Sequence, residues 1–176
     1  DSASGTRTFP AGATAQLVTV VVNGDLLNEL DETFVVNLSG AVNATIADTQ
    51  AMATINNDDA VPSLTINDIA DLEGTPFFGT GSKPFTFTVT LSAPSGQTVT
   101  VVNATTDGTA IAPADYTAKA PTLLSFAPGV TSRTTTVTVR TEATVELDET
   151  FFVNLAGAVN ATIADGQGQG TILNDD

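Results

Sequence analysis

The stretch ELDETFVVNLSGAVNATIAD, Glu29–Asp48, returns as ELDETFFVNLAGAVNATIAD, Glu146–Asp165, with only Val35 changed to Phe152 and Ser39 to Ala156. The likeness runs further. Residues 1–59 laid on 118–176 without a gap, an offset of 117, give 31 identities in 59. A duplication of this period constrains the fold more than any local pattern, because each unit must bury its own core and meet the next unit end to end. A unit of 117 residues is an ordinary domain size. Residues 60–117 have no second copy, so the chain is expected to be cut from a longer array. It would hold a C-terminal half repeat with four strands, residues 1–59, and a complete seven-stranded repeat, residues 60–176.

Within the unit the apolar residues alternate with period two. PFTFTVTL puts Phe85, Phe87, Val89 and Leu91 on one face and threonines on the other. TTTVTVR does the same with Val137 and Val139, its earlier copy QLVTVVV with Val18, Val20 and Val22, and ETFFVNLAG with Phe151, Val153 and Leu155. Such alternation marks half-buried antiparallel strands. SLTIND, TVTVVNA, TLLSF and GQGTILN supply the remaining strands, and SAPSG, TTDGTA, APGVTS and ADGQGQG supply the turns between them. Seven short strands with such punctuation predict an all-β fold, an immunoglobulin-like antiparallel two-sheet sandwich in tandem repeat. The joint Ala60–Pro62 is too short to cross a sandwich about 35–40 Å long at about 3.5 Å per residue. Residues 60–117 are therefore expected to fold with the second copy rather than the first.

Composition narrows the chemistry. The chain has neither cysteine nor histidine, which removes thiolate sites, disulfides, and the commonest general base and transition-metal ligand. Twenty acidic residues against five basic ones give a net charge of −15. That charge disfavours nucleic acid and suits hard cations such as calcium. No apolar run is long enough to span a membrane.

DGTAIAPADY, LLSFAPGVTSRTTTVTV, ELDETFFVNL and ATIADGQGQGTILNDD resemble, in order and spacing, the signature segments of the Calx-beta domain. That module occurs in sodium–calcium exchangers, in an integrin beta subunit and in long arrays on exported bacterial proteins. The resemblance implies a seven-stranded sandwich and, in calcium-binding members, a carboxylate cluster at one pole. Carried onto this sequence, the ligand positions are Glu73, Asp115, Glu142, Glu146, Asp175 and Asp176. The strongest calcium-binding pattern has aspartates where Thr141, Glu142, Ala143 and Asn174 stand, so fewer ions or weaker binding are implied. The first copy keeps Asp25, Glu29, Asp58 and Asp59, a partial second site. Asp148 and Glu149 are read as loop residues that turn the chain into the sixth strand. Phe77 and Phe78, in a glycine-rich loop, are a candidate partner contact.

The expected role is a non-enzymatic, calcium-binding structural module of a large exported or bacterial cell-surface adhesion protein. Its partners would be neighbouring repeats and possibly another chain completing the half repeat. Alternatives are a regulatory calcium sensor of a membrane transporter, and a metal-free spacer or carbohydrate- or protein-binding repeat. No nucleophile has a histidine to activate it, and no glycine-rich phosphate loop precedes a helix, so catalysis is not expected.

Overall fold

The computed structural model describes residues 4–74 and 81–176. Phe77 and Phe78 therefore lie outside the described residues. The described chain is all-β and contains twelve strands. Two belong to the first copy, β1 (Glu32–Asn37) and β2 (Gln50–Ile55), which pair as an antiparallel ribbon.

The other ten form two five-stranded sheets packed face to face. One holds β4 (Ile69–Leu72), β12 (Gln167–Leu173), β10 (Glu149–Val159), β6 (Val99–Asp107) and β8 (Thr122–Phe126), in that spatial order. The second holds β11 (Thr162–Ile163), β3 (Ser63–Ile66), β5 (Gly81–Leu91), β9 (Ser132–Thr141) and β7 (Tyr116–Thr117). The seven strands expected in residues 60–176 all form, as β3, β5, β6, β8, β9, β10 and β12. Three short ones are added, because the chain changes sheet after Ile66 and picks up two-residue pairings at β7 and β11. β4 runs parallel to β12, which brings the start and end of this unit side by side.

The alternation in sequence becomes the core. Phe85, Phe87, Val89 and Leu91 of β5 and Val137 and Val139 of β9 face Val99 and Val101 of β6, Phe126 of β8, and Phe151 and Val153 of β10. All are buried. Outside, threonines pair across strands, as Thr86 Oγ1 does with Thr136 Oγ1 at 3.1 Å. One polar tie crosses the core between the sheets: the Thr135 hydroxyl donates to Asn103 Oδ1 at 2.7 Å, and Asn103 Nδ2 donates to the Thr122 carbonyl at 2.8 Å.

The first copy departs from expectation. Of the four strands expected in residues 1–59, the described residues form two. The reason lies in the partners. Among the described residues the strand ladders pair β8 only with β6, and β9 only with β5 and β7. The counterparts of β8 and β9, near residues 5–9 and 15–24, have no such strands beside them among the described residues and form no ladder. The hairpin β10–β12 is self-sufficient, so its counterpart β1–β2 survives. Val18, Val20 and Val22 remain about half exposed, at 49%, 47% and 49%.

This contrast gives a test. Phe151→Ala should destabilise the sandwich by about 3–5 kcal/mol, the range for emptying a buried aromatic site. Phe34→Ala, at the equivalent half-buried position, should move the same transition by less than about 0.5 kcal/mol, as surface changes do. Urea unfolding of the two variants checks both.

Candidate metal centre

Alternating loops of antiparallel strands emerge at the same pole, and the acids of the second copy gather there. Glu73 follows β4, where its N–H donates to the Leu173 carbonyl at 3.1 Å and holds it against the end of β12. The next residue, Gly74, has a positive φ of 85° and donates its N–H to Asp175 Oδ1 at 3.0 Å. Glu73 is almost wholly buried, with 6% exposed.

Asp115 sits in a tight turn before β7. Its Oδ2 accepts the Ile111 N–H at 2.6 Å, and its carbonyl accepts the Arg140 N–H at 2.8 Å. That turn is pinned from below by Tyr116, whose hydroxyl donates to Asp107 Oδ1 at 2.6 Å. The same oxygen accepts the Ala112 N–H at 3.1 Å, and these two bonds hold the Asp107 carboxyl below its ordinary range. Burial, with Asp107 beside it, pushes the Tyr116 phenol up to about 12.

One carboxylate oxygen from each of Asp115, Glu146 and Glu149 lies within 4.8 Å of the others. They surround a hollow of about 10 Å³, roughly the space of one small sphere, also lined by Glu73, Glu142 and Asn174. Crowded like charges cannot all ionise freely. Burial, followed by Glu142, Asp176, Asp175 and Glu146, pushes Glu73 up to about 7. Burial and then Asp115, Glu146 and Glu73 push Glu149 up to about 7 as well. Glu146 is raised by burial and by Glu142 and Asp115.

Of the six acids singled out from the sequence in residues 60–176, Glu73 feels Glu142, Glu146, Asp175 and Asp176, and Glu146 feels Glu142 and Asp115. Glu149 is a correction. It was expected to turn the chain with Asp148, yet it belongs to the acid cluster. The signal was present in the period of β10: Glu149 shares a face with Phe151, Val153 and Leu155, so it extends the buried face, while Asp148 falls on the opposite side. Asp148 does act locally, accepting the Asn174 N–H at 3.1 Å. Asn174, which stands where an acid could have been, accepts the Glu146 N–H at 3.2 Å and so positions that acid's loop. Arg140 also lines the hollow and opposes a cation there.

The first-copy acids are arranged differently. Asp25, Glu29, Asp58 and Asp59 line a wide hollow of about 380 Å³. Among the described residues they form no close carboxylate group. The local scaffold is nonetheless repeated, with Asn57 accepting the Glu29 N–H and Asp31 accepting the Asn57 N–H, at 2.9 and 2.8 Å. This end meets the second copy. Asn28, buried at 6% exposure, donates to the Asp59 carbonyl at 2.9 Å, while its own carbonyl accepts from Gly96 N–H and Ser95 Oγ at 3.1 and 3.2 Å.

The family model of the Calx-beta domain matches residues 2–59 and, separately, 76–176. The chain belongs to the Calx-beta family. Its fold resembles the crystal structure of the apo-form Calx CBD1 domain, with a TM-score of 0.58 and 23% identity over 66% of this chain and 100% of that one. It also resembles CBD12 from CALX1.2, with a TM-score of 0.56 and 24% identity over 65% of this chain and 44% of that one. CBD12 of CALX1.1, described as a calcium binding domain, gives a TM-score of 0.56 and 24% identity over 64% and 46%. The chain therefore spans less than half the length of either CBD12 structure. A search of curated proteins gives no match. The Calx-beta neighbours place the two packed sheets in the immunoglobulin-like class.

The donor set of this Calx-beta chain fits a hard cation. Every side chain at the hollow that can ligate offers oxygen, and several are carboxylates held at close range and, among the described residues, in no ion pair, which is the ligand chemistry calcium takes. The crowding also predicts a pH dependence. Glu73 and Glu149 rise from 4.5 to about 7 on folding, so between those values the folded chain holds more protons than the unfolded one. Stability without a cation must then fall as pH rises through that window. Urea midpoints measured in chelator at pH 5 and pH 8 should show the drop, and Glu149→Gln should make it smaller.

Proposed function

We propose that this chain is a non-catalytic calcium-binding structural module, in which a cation at the acidic pole of residues 60–176 neutralises the cluster and stiffens that end. The observation that carries the reading is the convergence of Asp115, Glu146 and Glu149 within 4.8 Å around one small hollow. Glu73 and Glu142 stand beside them, and Asp175 and Asp176 extend the negative field. Membership of the Calx-beta family, in which CBD12 of CALX1.1 is a calcium binding domain, supports the same cation.

Residues 60–176 serve as the complete unit and residues 1–59 as the C-terminal half of the unit before it, each flanked by neighbouring repeats of one chain. Near-identical duplicated units favour a long array on an exported or cell-surface adhesion protein over a lone sensor domain in a transporter. The buried Asn28 clasp across the joint supports a spacer role, because it fixes one unit against the next through several hydrogen bonds. The half unit would be completed by the rest of its own repeat or by another chain.

Thermal unfolding in EDTA and then in 0.01–10 mM calcium, with magnesium as control, tests the cation. The melting temperature should rise with calcium specifically, since a ligand at about 100 times its Kd adds about 2.7 kcal/mol. Asp115→Ala and Glu146→Ala should abolish the rise. Arg140→Gln should tighten binding several-fold by removing an opposing charge. A flat curve across that range would leave an acidic spacer with no metal.

A further inference from the structure

We propose that Thr135, Gly168 and Gly170 decide which of the two C-terminal halves in this chain completes the strands of residues 63–107, and that they exclude the first half. The inference is independent of any bound cation.

The problem is set by the duplication. Both halves carry the same inward apolar residues at matching places: Phe9 and Phe126, Val20 and Val137, Phe34 and Phe151, Val36 and Val153, Leu38 and Leu155, Ile55 and Ile172. By apolar pattern alone, the first half of one molecule competes for β3, β5 and β6 of another. Strand faces of this kind exchange readily unless something opposes it.

Four buried positions differ, Thr135, Thr141, Gly168 and Gly170, and three of them disfavour the first half. At Gly168 an added β-carbon would lie 2.7 Å from the Asn67 carbonyl oxygen, 3.0 Å from Ile66 Cγ1 and 3.1 Å from Phe87 Cδ1. The first of these is backbone, so no side-chain rotation relieves it. The first copy has Ala51 there. At Gly170 an added β-carbon would lie 2.6 Å from Phe151 Cε1 and press on Cζ as well. The Phe151 ring cannot swing aside, since it stacks on Tyr116 at 4.7 Å and touches Phe85 and Phe87 at 6.0 and 5.9 Å. The first copy has Ala53, directly opposite Phe34 in the β1–β2 register. Phe34 therefore cannot lie across its neighbouring strand as Phe151 does. At the third position the Thr135 hydroxyl satisfies the buried Asn103 Oδ1. The first copy has Val18, which would leave that oxygen without its donor.

The same three residues describe the partner that the first half does fit. It is a strand set like β3–β6 with an apolar residue in place of Asn103, a backbone that leaves room for the Ala51 β-carbon, and space for the Phe34 ring away from Ala53. Each half is thus keyed to its own complement, which keeps tandem units from cross-pairing.

The chain has no cysteine, so introduced pairs report strand pairing directly. Thr106 and Phe152 are register partners on β6 and β10, and Val35 is the first-copy equivalent of Phe152. In the parent chain refolded under mild oxidation, Thr106→Cys with Phe152→Cys should form a disulfide, and Thr106→Cys with Val35→Cys should not. Adding Val18→Thr, Ala51→Gly and Ala53→Gly leaves the second half untouched, and Thr106→Cys with Phe152→Cys in that background verifies that the sandwich still closes. The yield of the Thr106–Val35 crosslink should then rise at least tenfold. An unchanged yield, or an equally efficient Thr106–Val35 crosslink in the parent, overturns the proposal.

Discussion

The stack of Tyr116 on Phe151, with ring centroids 4.7 Å apart, joins the core of this protein to its acidic pole. Phe151 is also packed by Phe85 and Phe87, so the stack is fixed from the interior. Each ring carries an acid of the cluster close by in sequence. Asp115 precedes Tyr116, and Glu149 lies two residues before Phe151 on the same face of β10. Holding the rings together therefore holds those carboxylates together. The Tyr116 hydroxyl adds the bond to Asp107 that ties down the loop between them. Core packing, which favours folding, sustains an electrostatic arrangement that opposes it.

That opposition accounts for the chemistry of the pole. Carboxylates spread over a surface repel weakly through water, whereas those at strand ends under an apolar face are partly desolvated and feel one another strongly. Glu73 and Glu149 respond by keeping their protons to about pH 7. A divalent cation relieves the same strain by replacing those protons. Binding and protonation are then competing solutions to one problem, and a module built this way is stiffest when the ion is present.

Much of the fold was legible because period two survives burial unchanged. The residues read as inward on PFTFTVTL and ETFFVNLAG are the buried core residues of β5 and β10. The strands missing from residues 4–59 were not legible, since QLVTVVV has the pattern of a strand but, among the described residues, no strand paired with it. A sheet is a property of pairs, and pattern describes one strand at a time. Glu73, Asp115, Glu142, Glu146, Asp175 and Asp176 were singled out by the resemblance to the Calx-beta signature and not by alternation or spacing. Glu149 was missed because DET reads as a turn unless the alternation of β10 is extended backwards by one step. Nothing in one-dimensional pattern marks Gly168 and Gly170 either. Only the Phe151 ring and the Asn67 carbonyl, brought close by the fold, explain why the first copy's alanines do not fit there.

The most direct test of this account is the proton balance of calcium binding, read by isothermal calorimetry at pH 6.5 in two buffers of different ionisation enthalpy and repeated at pH 9. If the cation displaces protons held by the crowded acids, binding at pH 6.5 releases on the order of one proton per ion, and binding at pH 9 releases essentially none. Calcium binding with no proton release at pH 6.5 would place the ion elsewhere and contradict the account.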